Sequence, residues 1–147
     1  MCAILKITSK LGYFNVFLFD PDFCVSIYLL FCFLIVKMKS FSFQGYTIDA
    51  GQSARENDIL TLSASCSDMW LHAEGVAGSH VLIRNSENVT KDVIRYAAEL
   101  AAKLSKAPVG NSSVIYTNVS NVEKRKRAKS GEVVVEIFER ILVRNDI

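Results

Sequence analysis

The sequence predicts an α+β domain: a small, mainly antiparallel sheet with one long alanine-rich helix packed on it. Two patterns point there. Short runs rich in β-branched and aromatic residues alternate with glycine-bearing turns, and one stretch repeats its apolar residues at helical spacing. The 147 residues leave room for one domain of ordinary size. Half of them are hydrophobic and 22% are charged, which supports a packed core and excludes wholesale disorder.

In chain order, Phe41 and Phe43, then Tyr46, Ile48 and Ala50, alternate with polar residues around Gly45, the pattern of a hairpin or bulged strand. Ala54 to Ser63 fits one or two helical turns with Ile59, Leu60 and Leu62 inward. Met69–Ala73 and Ser79–Arg84 read as two short strands joined through Glu74-Gly75-Val76-Ala77-Gly78, where glycine at both edges permits unusual backbone angles. The clearest element is a helix from Lys91 to Ser105, with Thr90 as cap and Asp92 near the positive end of its dipole. Val93, Ala97, Leu100 and Leu104 form its buried stripe, and Ala98, Ala101 and Ala102 let it lie close to a sheet. Pro108 and Gly110 end it. Three strand-like runs follow: Val114–Val119, Glu132–Ile137 and Ile141–Val143.

Residues 1–37 differ from all this. The run Phe23–Val36 is continuously apolar between Asp22 and Lys37, shorter than the roughly 20 residues a spanning helix needs. Three readings are open: a mis-assigned start upstream of Met38, a short anchor or signal, and a buried extra element. The first is preferred, so the domain is expected at 38–147 with 1–37 as an apolar extension. Cys2, Cys24 and Cys32 fall in this extension and only Cys66 beyond it, without any C-x-x-C pair. That usage points to a reducing compartment and to neither zinc nor a redox dithiol.

Chemistry-bearing residues are few. His72 and His80 are the only histidines, and Ser79 and Asp68 nearby evoke a triad. Ser79 and His80 are adjacent on a strand, however, so they point to opposite faces. No catalytic residue, metal site or cofactor is expected, and no small-molecule substrate. If the turn is Gly75-Val76-Ala77, His72 and His80 stand opposite each other on one face of the hairpin, either as structural groups or as contacts to phosphate. Trp70 shares that face, either as core or hairpin packing or, if exposed, as a platform on which a base could stack. Asn57 and Asp58 read as a turn and helix-start cluster. The net charge of +2 decides nothing, but Lys124, Arg125, Lys126, Arg127 and Lys129 lie within six positions. Only Glu123 and Glu132 flank them. Clustered cations bind phosphates and release counterions.

Several stretches resemble the RNA-binding domain of the NFACT family. Gly51-Gln-Ser-Ala-Arg-Glu-Asn-Asp-Ile-Leu-Thr61 is similar to its Gly-Arg/Lys-x-Ala-x-Glu-Asn-Asp-x-Leu-Thr segment. Asp68-Met-Trp-Leu-His72 followed by Gly78-Ser-His-Val81 resembles its most distinctive block. Leu104-Ser-Lys-Ala107, Val114-Ile-Tyr-Thr117, Val122-Glu-Lys124 and Ala128-Lys-Ser-Gly-Glu-Val133 follow in the family's order, so the resemblance covers Phe41 to Val143. Two positions depart: Gln52 stands where Arg or Lys is usual, and Arg127 where the loop usually has Gly.

The resemblance implies a stand-alone, non-enzymatic RNA-binding module. Its expected partners are tRNA or rRNA and the large ribosomal subunit, in translation or ribosome-associated quality control, in the cytoplasm and away from membranes. The family's N-terminal domain, helix-hairpin-helix region and coiled coil have no counterpart in these 147 residues, so the tRNA-dependent tailing linked to that N-terminal domain is not implied. Candidate RNA contacts are Lys124, Arg125, Lys126, Arg127, Lys129, His72, His80 and Arg84. The alternative is a protein-interaction adaptor that keeps the fold, membrane-proximal if the N-terminal segment is an anchor.

Overall fold

The computed structural model describes residues 38–146 in full, and the backbone alone of Ile7–Ser9 and Gly12–Phe14. The apolar run at 23–36, with Cys2, Cys24 and Cys32, lies outside the described residues. The chain divides into two compact units, Met1–Lys37 and Met38–Ile147. In the first, β1 (Ile7–Ser9) and β2 (Gly12–Phe14) pair antiparallel.

The second unit holds β3 (Lys39–Phe43), β4 (Tyr46–Ala50), α1 (Ala54–Leu62), β5 (Met69–Ala73), β6 (Val81–Ile83) and α2 (Lys91–Lys103). After them come β7 (Gly110–Asn118), a single 3-10 turn, β8 (Val122–Glu123), β9 (Val134–Val135) and β10 (Glu139–Asn145). Six strands form one antiparallel sheet in the order β10-β7-β5-β6-β4-β3, and β8 pairs with β9 alone. The β3–β4 hairpin turns through Gln44 (φ 48°) and Gly45 (φ 82°), the backbone that a two-residue hairpin loop requires.

Strand alternation sends side chains to two different covers. Ile48, Ala50, Leu71, Val81, Ile83, Val114 and Val143 face α2, which meets them with Val93, Ala97, Ala98, Ala101 and Ala102. A helix faced with alanine approaches the sheet closely, and each large aliphatic side chain buried there contributes about 1.5–3 kcal/mol. Thr90 caps α2 by accepting from the Val93 N–H at 3.4 Å, and Phe43 stacks on Tyr96 at 4.3 Å. On the other face, Trp70 and Leu82 are buried with Leu60 of α1, and Ile115, Val122, Val133 and Val135 pack around them.

Several expectations need correcting. The described residues hold two helices, α1 where helical turns were expected at Ala54 to Ser63 and α2 on the sheet, which at 13 residues is shorter than the expected Lys91 to Ser105. α2 stops at Lys103, where the Leu104 N–H bonds back to the last carbonyls, so Pro108 and Gly110 lie beyond its end. Leu62 points outward, 66% exposed, while Asn57 and Thr61 take the inner positions of α1 with Leu60. The expected strand Glu132–Ile137 shrinks to two residues outside the main sheet. Periodicity missed this because β8 and β9 cover the sheet, and their valines are buried from one side only.

Candidate nucleic-acid interface

The five clustered cations lie on the loop between β8 and β9, and two turns shape it. The Ala128 N–H donates to the Arg125 carbonyl and the Glu132 N–H to the Lys129 carbonyl, both at 3.0 Å. Glu132 also accepts from the Lys129 N–H at 3.0 Å. Arg127 sits at φ 74° and Gly131 at φ 79°, so the backbone is left-handed at each. At Arg127 this is the angle that glycine adopts without cost.

Asp58 fastens this loop to α1. Its Oδ1 accepts from Lys124 Nζ at 2.8 Å and from the Gly131 N–H at 2.9 Å. Burial pushes the Asp58 carboxyl up, but the Lys124 ammonium, the Gly131 N–H and the Ser130 side chain outweigh it and hold the group below its usual value. Lys124 Nζ also donates to the Lys129 carbonyl, closing the loop on itself. A Cβ on Gly131 would stand 3.2 Å from Ala54, so the loop lies directly against the first turn of α1. That turn is built by a reciprocal cap: Ser53 Oγ accepts from the Glu56 N–H at 3.2 Å, and Glu56 Oε2 accepts from the Gln52 N–H at 2.8 Å.

Beneath the loop sits an aromatic cluster. The β5–β6 register, Trp70 opposite Leu82 and Leu71 opposite Val81, carries on to set His72 against His80, with ring centroids 5.4 Å apart and edge to face. Trp70 stacks on His72 at 5.7 Å and meets His80 edge-on at 5.0 Å. His80 Nδ1 shares a 2.8 Å hydrogen bond with the Thr61 hydroxyl, and backbone groups of Asn57 and Gly131 bond it too. Burial, with the neighbouring His72, lowers its pKa to about 4, so the ring is neutral near pH 7. Burial lowers the pKa of His72 as well, partly offset by a hydrogen bond with the Gly78 backbone. Asn57 completes the ties: its Oδ1 accepts from the His80 N–H at 3.0 Å and its Nδ2 donates to the Gly78 carbonyl at 2.9 Å.

The eight candidate contacts therefore separate. Arg125, Lys126, Arg127 and Lys129 are exposed together on the loop. Lys124 is committed to Asp58, which the flanking acids Glu123 and Glu132 did not foretell, and to the loop's own backbone. His80 is 2% exposed, which removes it from direct contact with a strand and makes it a structural hub. Arg84 gives its Nε to Asp49 at 2.8 Å and its Nη1 to the buried Asp68 at 2.9 Å, which ties β4 to the end of β6. His72 is half-buried and opens on a cleft beside the loop. The sequence reading missed the work of Asn57 and Asp58, because their partners lie 21 to 73 positions away. The Ser79 hydroxyl donates to the Leu104 carbonyl at 3.1 Å, away from any triad geometry.

Among the described residues no helix is long and apolar enough to cross a membrane. The model of the "NFACT protein RNA binding domain" family matches residues 31–136, more than two thirds of the chain. The Rqc2 homolog RqcH of Bacillus subtilis is 39% identical over 107 residues, which cover 71% of this chain and 19% of that protein. Coiled-coil domain-containing protein 25 of Bos taurus is 28% identical over 102 residues, 65% of this chain and 49% of the relative. The solved C-terminal part of the fibronectin/fibrinogen-binding protein from Streptococcus suis superposes with a TM-score of 0.70 at 28% identity, covering 74% of this chain and 45% of that one. The chain thus spans about a fifth of the bacterial relative and about half of the bovine one. With Asp58, Trp70, His72 and His80 standing in the family's own motifs and holding one site together, this chain belongs to the NFACT family and carries its RNA-binding domain.

Proposed function

We propose that the domain binds structured RNA, tRNA or rRNA at the large ribosomal subunit, as a non-enzymatic module of ribosome-associated quality control in the cytoplasm. The observation that carries this reading is the clamped loop, with Arg125, Lys126, Arg127 and Lys129 exposed on one short stretch. A loop held by Asp58 presents its cations without the ordering cost that a free loop would meet on binding. The bacterial relative's name as an Rqc2 homolog supports the choice of pathway.

The test is RNA retention by the purified full chain over a range of salt. Replacing Arg125, Lys126, Arg127 and Lys129 together by Ser should weaken binding to every RNA tried. It should also flatten the plot of log K against log salt by about 3, at about 0.7 per phosphate contact on single strands. A folded variant with unchanged affinity and slope would dismiss the loop as the interface. The adaptor reading would then gain, since Val109, Ile137 and Leu142 expose apolar side chains that a protein partner could cover.

A further inference from the structure

The cleft that His72 opens on has a volume of about 520 Å³ and lies beside the basic loop. One wall is the 76–79 connection with the end of α2. A Cβ on Gly78 would fall 1.8 Å from Ser105 Oγ, so that connection is pressed onto the 104–106 segment as closely as a glycine allows. The other wall is the capped start of α1, residues 52–54, with Ser130 and Gly131 of the basic loop lying against it. Asn57 spans the two walls through the Gly78 carbonyl and the His80 N–H, which fixes their separation.

The chemistry of the lining is that of a nucleotide site. Val76, Ala77 and Leu104 supply apolar surface for a base, and His72, stacked on Trp70, supplies an aromatic ring. Ser53, Asn57 and Ser130 supply polar edges. Lys106 is the one cation of the lining and no carboxylate side chain is part of it. The carboxylates of Glu56 and Asp58 sit behind the α1 wall, spent on the Gln52 and Gly131 N–H groups, so a phosphate is drawn to the Lys106 side. Burial keeps the His72 ring toward its neutral form, suited to stacking and hydrogen bonding. The volume lies within the roughly 300–1,000 Å³ of sites that enclose small ligands. The cleft also runs on into the loop, because Ser130 and Gly131 follow Lys129 directly.

We propose that this cleft holds one unstacked nucleotide of a strand whose neighbouring phosphates lie on Arg125, Lys126, Arg127 and Lys129, with Lys106 at that nucleotide's phosphate. The proposal rests on the RNA-binding reading above and adds a second, base-holding contact to it. Stacking of a base on an aromatic side chain adds sequence-tolerant affinity that salt does not screen.

The test is photo-crosslinking of the full chain to a single-stranded oligoribonucleotide bearing 4-thiouridine, with the crosslinked peptides mapped by mass spectrometry. Crosslinks are expected in segments 72–79 or 104–106 as well as in 125–131. Lys106→Glu should remove the cleft crosslinks, keep those of the loop and weaken binding about tenfold. Crosslinks confined to 125–131, with Lys106→Glu binding as tightly as the parent, would overturn the subsite and leave the RNA reading standing. A chain that neither retains nor crosslinks RNA would overturn both. Loss of the cleft crosslinks on adding micromolar uridine 5′-monophosphate would make the cleft a free-mononucleotide site and overturn the strand subsite.

Discussion

Replacing Asp58 by Asn takes a negative charge away from the basic loop, and counting charges alone says that RNA should then bind more tightly. At about 8 Å in water the gain is on the order of 0.5 kcal/mol per phosphate, reduced further by salt. The geometry opposes it. Asp58 Oδ1 holds Lys124 Nζ at 2.8 Å and the Gly131 N–H at 2.9 Å, and both side chains of the ion pair are largely shielded from water. Hydrogen bonds to a charged partner are worth about 1.5–3 kcal/mol, and an amide oxygen recovers part of one, so roughly 2 kcal/mol of loop docking is lost. Only the phosphate nearest Asp58 lies within a Debye length without other charges between, so a single gain of about 0.5 kcal/mol is set against the loss. The difference, about 1.5 kcal/mol, corresponds to about tenfold in the ratio of docked to undocked loop. Affinity for RNA should therefore fall severalfold, with tenfold as the ceiling, and the Gly131 amide should exchange its hydrogen faster. Fluorescence anisotropy of labelled RNA and hydrogen exchange on the free protein read the two effects. Lys124→Met is the companion variant: affinity should drop while the salt slope stays put, because Lys124 holds Asp58 and not a phosphate. Tighter RNA binding by Asp58→Asn, with Gly131 protected as before, would refute the clamp.

Three more variants probe the same region. His80 titrates at about 4 in the folded chain against 6.5 in the reference state, so the unfolded chain takes up the proton first. Stability should therefore be fully present above about pH 6.5 and decline by on the order of 3 kcal/mol as pH falls toward 4, a trend that thermal melts should find much reduced in His80→Gln, where only the smaller contribution of His72 is left. Gly78→Ala would place a methyl group 1.8 Å from Ser105 Oγ and 3.0 Å from Ser105 Cα. It should cost about 1–3 kcal/mol in denaturant melts by forcing the 76–79 connection off the end of α2. Arg127→Gly should relieve a left-handed residue (φ 74°) and stabilise the folded chain by about 1 kcal/mol, while flattening the salt slope by about 0.7 through one lost phosphate contact.

The local patterns were legible because local physics writes them. Alternation around Gly45 fixed the β3–β4 hairpin, and the spacing of Val93, Ala97, Leu100 and Leu104 fixed the helix that lies on the sheet. Pairing arithmetic set His72 against His80, since a strand's side chains repeat every two residues and a turn fixes the register. The cluster of cations was equally plain, because charge density along a chain is a sequence property. What each of those cations does was not. Lys124 and Arg125 are neighbours in sequence, yet one is tied to a carboxylate 66 positions earlier and the other is exposed. Leu62 looked like core and is exposed, while polar Asn57 looked like a turn residue and holds the sheet to the cleft wall. His80 has the composition of a contact residue and the burial of a core residue. These assignments depend on which distant segment lies within about 3 Å of a polar atom. The sequence by itself determined the main strands and helices, the β5–β6 register and the loop that carries the charge. Only the tertiary structure decided which charges are already satisfied inside the protein and which stay exposed, because pairing depends on distance in space and not on separation along the chain.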